Sequence, residues 1–174
     1  MMRLLLLGLL ALPISVSASV QKLETELGSV YVPQLPQWEL GRNMYGMPFI
    51  YFSPRANGQR SNISFTFTGV DVELDLAVMG KDAEGFRRLK ENWAKTVEAR
   101  IDSVIPYRSW KNQHDHTVHE VGVSYTHEGK RYLEKSFYVN CRRQLVYSKA
   151  LRLLDNASHE AEFTRLVNEL DCGQ

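Results

Sequence analysis

Past its first dozen residues, the 174-residue chain has no apolar run near the ~20 residues that a membrane-crossing helix requires, so no later segment reads as transmembrane. It also has no excess of either charge, with 21 Lys and Arg against 20 Asp and Glu. Nucleic acid and anionic membranes both select a basic surface, and neither is expected as the main partner. The short motifs of common catalysts are missing as well. There is no G-x-S-x-G nucleophile elbow, no G-x-x-x-x-G-K phosphate loop and no dinucleotide-binding glycine pattern. No glycine-centred series of oxygen ligands offers a calcium loop. Cysteine is scarce: Cys141 and Cys172 stand alone, without the C-x-x-C spacing of a structural zinc site. No cofactor is expected.

The chain does open on a clear signal. In "MMRLLLLGLLALPISVSA" one basic residue, Arg3, precedes the apolar run Leu4 to Leu12; Pro13 ends the run and small residues lead to Ala18. This is the layout of a secretory signal peptide, and cleavage is expected after Ala18. No cysteine or twin-arginine pair points to a lipid anchor or a different export route. Residues 19–174 then form a single domain of about 156 residues, periplasmic or secreted, and large enough for a sizeable core. Losing Arg3 leaves 20 basic against 20 acidic residues. In an exported chain two cysteines suggest a Cys141–Cys172 disulfide, the alternative being two free thiols.

Residues 19–30 are polar and read as a loose lead-in, followed by a turn and strand start in "VPQLPQWEL". "MPFIYF" (47–52) is a buried strand, and "SPRANGQRS" has turn composition. In "NISFTFTG" Ile63, Phe65 and Phe67 alternate with Ser64, Thr66 and Thr68. After Gly69 the phase slips, and Val70, Val72, Leu74, Leu76 and Val78 continue the alternation, which suggests a bulge or bend. Phe86, Leu89, Trp93, Val97 and Ile101 then recur at helical spacing. This stripe predicts a helix over about 82–102, with Asp82 at its N-cap and Pro106 blocking continuation. From Val118 the period returns to two, with His119, Val121, Val123 and Tyr125 on one face. "HEGK" (127–130) reads as a hairpin turn. Two further strands follow, separated by a charged turn at Arg142–Arg143, and a last helix over 158–171 capped by Ser158. The class is α+β: an antiparallel sheet of about six strands with two main amphipathic helices.

A "W…" strand, "FIYFSPRANGQRSNISFTF", a long helix, a strand meander and a closing helix span most of residues 31–171. In this order the chain resembles the Mog1/PsbP-like fold, including the DcrB-type periplasmic proteins, and its build is similar to some bacterial toxin-immunity proteins. The resemblance implies a non-catalytic accessory or binding protein. On this view the partner is another protein, met through exposed aromatic or arginine side chains; the candidates are Tyr45, Tyr107, Arg108, Trp110 and Tyr132.

"NQHDHTVHE" (112–120) holds three of the five histidines. An H-E-x-x-H metalloprotease motif fails, because the second histidine would fall on Val123 and the period is that of a strand. A metal site would use His114 and His116 at i, i+2, with Glu120 or Asp115 as a third ligand. The reading preferred over it is an exposed polar connector, in which His119 alone turns toward the core. The alternatives to a protein-binding role are a small-ligand or metal-binding periplasmic protein and an unrecognised hydrolase.

Overall fold

The computed structural model describes residues 19–56, 58–69, 83–141 and 144–173. The leader 1–18, the expected strand Val70–Val78, Asp82 and the turn Arg142–Arg143 lie outside the described residues. The elements run β1 (Val20–Thr25), β2 (Gly28–Pro33), β3 (Glu39–Met44), β4 (Met47–Phe52), β5 (Asn62–Gly69), α1 (Ala83–Thr96), β6 (Arg100–Lys111), β7 (Thr117–His127), β8 (Lys130–Cys141), β9 (Gln144–Leu153) and α2 (His159–Asn168). Seven strands form one sheet in the order β3-β4-β5-β9-β8-β7-β6, and β1 and β2 form a separate hairpin. All pairings are antiparallel. The fold is α+β, with nine described strands rather than about six.

The turns follow from local chemistry. His127 pairs with Lys130 across Glu128 (φ 48°) and Gly129 (φ 71°), the two-residue turn that "HEGK" predicts. Met44 pairs with Met47 across Tyr45 (φ 53°) and Gly46 (φ 75°), the same turn with a tyrosine where asparagine is favoured.

Paired residues share a face of the sheet. On the first face Phe65, Phe137, Val139, Val146 and Ala150 bury against Phe163, Leu166 and Val167 of α2 and Leu23, Val30 and Val32 of the β1–β2 hairpin. The expectation of a loose lead-in over 19–30 is therefore wrong: Leu23 and Val30 are two of the deepest core residues. Tyr31 locks the hairpin to the C-terminus through reciprocal backbone bonds with Asp171, at 2.7 and 2.9 Å. On the second face α1 sets Trp93 edge-on to Tyr125, with centroids 5.1 Å apart.

The helix expected over 82–102 ends at Thr96. Glu98 takes a left-handed conformation (φ 53°) and the Ala99 N–H donates to the Ala94 carbonyl at 2.8 Å. This is a Schellman stop built on glutamate in place of glycine. Ile101 then belongs to β6, an edge strand, where Pro106 withdraws no needed donor. Leu89, counted into the apolar stripe, is exposed, whereas Ala94 is buried. The last helix is shorter than 158–171, and Ser158 sits at its N-cap without a side-chain capping bond. No helix among the described residues is long and apolar enough to cross a membrane.

Candidate functional site

The histidine segment is a clamp rather than a free connector. Asn112 is buried, and its Nδ2 donates to the carbonyls of Val167 (3.2 Å) and Leu170 (2.8 Å) at the end of α2. Its Oδ1 accepts the backbone N–H of His114 and of His116, both at 3.0 Å. His116 Nε2 accepts the Cys172 N–H at 3.2 Å and lies 3.3 Å from Asp171 Oδ1. His114 is exposed and stacks on His116. Cys172 is bonded to Cys141, with Cα atoms 5.7 Å apart. One short loop thus ties the end of α2, the C-terminal segment and the start of β7 together. Asn112, which organises it, was hidden in a run of polar residues.

Glu120, the expected third metal ligand, is not brought together with His114 and His116. Among the described residues no group of three His, Cys, Asp or Glu side chains is placed to hold a metal ion. Glu120 faces α2 instead, 1% exposed, where Arg108 contacts it at 2.5 Å and Lys135 Nζ at 2.9 Å. Lys135 also pairs with Glu160 of α2, whose other oxygen lies 3.0 Å from Arg152. Burial pushes the Glu160 carboxyl up, but its bonds to Lys135 and Arg152 outweigh that and hold it below its ordinary value. Glu134 is equally enclosed on the second face, by Lys90 at 2.5 Å and Lys149 at 3.0 Å. Among the described residues, the two deeply buried carboxylates, Glu120 and Glu134, each stand between two cations.

The five partner candidates do not form one patch. Tyr107 stacks on His119, its hydroxyl 2.8 Å from Nδ1. His119 is half-buried, and desolvation lowers its pKa. Arg108 lies over Trp110 at 4.9 Å, while Trp110 Nε1 donates to Asn168 at 2.8 Å. Tyr132 stacks on Tyr125. These four are bound into the β6–β7–β8 end of the sheet. Tyr45 stands alone at the opposite edge, 80% exposed, beside the exposed Met44. Next to them Arg42 is exposed and covers Phe49, its guanidinium 5.0 Å from the ring centroid. Met44 and Arg42 escaped the sequence reading because neither sits in an alternating pattern.

This architecture is the Mog1/PsbP-like fold. A cyanobacterial PsbP (CyanoP) from Synechocystis sp. PCC 6803 matches with a TM-score of 0.59 and 12% identity, over 95% of this chain and 99% of its own. LpqN, involved in cell envelope biogenesis of Mycobacterium tuberculosis, matches with a TM-score of 0.62 and 14% identity, over 87% and 88%. A point mutant of Mog1 matches with a TM-score of 0.52 and 10% identity, over 88% and 96%. At these identities the likeness is one of fold. No family model matches the chain, and no curated protein matches it in sequence.

Proposed function

We propose that the chain is exported, loses residues 1–18, and acts outside the cytoplasm as a non-catalytic accessory domain that binds another protein. The signal-peptide layout of the first 18 residues supports export, and the Cys141–Cys172 bond suits an oxidising compartment. The observation that carries the binding reading is Tyr45. A bulky residue in left-handed backbone is uncommon and unfavourable, and this one is 80% exposed on a hairpin tip. Stability alone favours asparagine there; an aromatic side chain presented to solvent is what a partner pocket selects. The Mog1/PsbP-like fold adds an analogy in the same direction. A more specific form of the reading is a toxin-neutralising immunity protein, which predicts that co-expression relieves the toxicity of an effector encoded beside it.

The test is site-specific photocrosslinking in the exporting cell. A photoreactive residue at Tyr45 should give one discrete protein adduct, and the same residue at the exposed Leu89 should not. The absence of an adduct at Tyr45, with turnover by the purified mature chain, would defeat the reading.

A further inference from the structure

Among the described residues the seven-stranded sheet ends on two edges, β3 and β6, and they are protected unequally. β6 carries Pro106, register breaks between Ile101 and Ser103 and between Ile105 and Arg108, and the charged residues Arg100, Asp102, Arg108 and Lys111. Proline, bulges and charges are the devices that stop another chain from pairing with an edge. β3 has no proline; it carries two charges, Glu39, which pairs with Arg60, and Arg42, and its Leu40, Gly41 and Arg42 pair in unbroken register with Tyr51, Ile50 and Phe49 before Asn43 turns left-handed (φ 52°). Ser53 donates its backbone N–H to the Ser61 carbonyl at 2.9 Å, so Ser53, Tyr51 and Phe49 turn their backbone groups to β5, and Ile50 and Phe52 turn theirs to Gly41 and Glu39 of β3. The backbone groups of Leu40 and Arg42 therefore point outward, away from β4.

Beside this open edge, on the α2 side of the sheet, lie Trp38 and Leu40, both partly buried against the core, and Arg42. Arg42 forms no ion pair among the described residues, although the buried carboxylates each have two cations. A second copy of this chain is a poor occupant. A stable dimer buries at least ~1,200 Å², and a six-residue strand, about 20 Å long at the strand rise, offers much less. A short extended segment of another protein suits the edge, because such segments bind through main-chain bonds with alternate side chains read in neighbouring pockets.

We infer that β3 is a strand-addition site for an extended peptide segment that carries a carboxylate opposite Arg42 and apolar side chains opposite Leu40 and Trp38. The inference rests on the binding reading above and names the kind of segment the partner contributes.

The probe is a fluorescent synthetic peptide, Thr-Glu-Thr-Val-Thr-Val-Thr, which in antiparallel alignment sets its glutamate against Arg42 and its valines against Leu40 and Trp38. Anisotropy should show saturable binding to the mature chain below about 1 mM. N-methylation of alternate peptide amides on the pairing side should weaken binding by about tenfold or more, since it removes the main-chain donors while leaving the protein untouched. Arg42→Glu should weaken it by at least about tenfold, and a peptide with lysine in place of glutamate should recover binding to that variant. Thermal melts confirm that the variant folds. No saturable binding, or binding indifferent to both N-methylation and Arg42→Glu, overturns the inference, as does a chain that proves dimeric through β3 in sedimentation. A partner crosslinked at Tyr45 that the peptide does not displace refutes strand addition and leaves the binding reading standing.

Discussion

Glu120→Ala probes how much of the stability rests on the charge chain beneath α2. The carboxylate is 1% exposed and joins Arg108 to Lys135. Removing one member of a buried pair typically costs ~3–5 kcal/mol, because the other charge is left uncompensated. Two features place this case at the lower end. The Arg108 side chain is 58% exposed and can rehydrate, and Lys135 keeps Glu160 as a counter-ion. The expected loss is about 3 kcal/mol, which at ~2–4 °C per kcal/mol for a domain of this size lowers Tm by roughly 6–12 °C. Glu120→Gln keeps the shape and one acceptor, and should cost about half as much. In urea titrations followed by circular dichroism, Glu120→Ala combined with Lys135→Met should be less destabilised than the sum of the single changes, because each removes the charge that orphans the other. A single-variant loss below about 1 kcal/mol, or strict additivity, would refute the view that these charges depend on one another.

Other consequences are as direct. Asn112→Ala removes four hydrogen bonds at the junction of α2 and β7 and should cost about 3 kcal/mol, checked by chemical denaturation; a change within ~0.5 kcal/mol would make the clamp irrelevant. Cys141→Ser should cost roughly 2–4 kcal/mol, and the unreduced chain should weigh about two daltons less than the reduced one, the mass of the two thiol hydrogens lost on pairing. Acid stability should fall in two stages. His119 and Glu160 both have folded pKa values below their ordinary 6.5 and 4.5. Their contributions are therefore complete above those values and are lost as the pH falls through the lower folded ones. His119→Gln should flatten the first stage, below about pH 6.5, and leave the second; an unchanged pH profile would contradict the burial of the ring.

Much of the fold was legible because burial imposes a period. Ile63, Phe65 and Phe67 face the core as their alternation predicts, and the "HEGK" turn follows from a glycine that accepts positive φ. The boundary between α1 and β6 was not legible. Val97 and Ile101 continue the helical spacing by coincidence, and the stop is made by Glu98, a residue that carries no stop signal. The β1–β2 hairpin was missed because Leu23 is the one buried residue of β1, set among polar neighbours, and β2 offers only the short run from Val30 to Pro33. The disulfide was readable from the cysteine count together with the expected export. The site was only partly readable. Tyr45 could be nominated as an aromatic, but its exposure and backbone strain belong to the folded hairpin. The placement of Glu120 was not legible, because sequence proximity to His114 and His116 does not show that it turns toward Arg108 and Lys135.

The central claim is that Tyr45 is kept for a partner and not for the fold, and Tyr45→Asn tests it most directly. The change creates an Asn-Gly turn, which suits positive φ at both positions, so the mature chain should melt at the same temperature or higher, with a gain of up to about 1 kcal/mol. Isothermal titration against the protein crosslinked at position 45 should at the same time show affinity reduced by about thirtyfold, the loss of a residue worth ~2 kcal/mol at an interface. A variant that binds as tightly as the parent chain, or one that loses binding only because it no longer folds, would contradict the account.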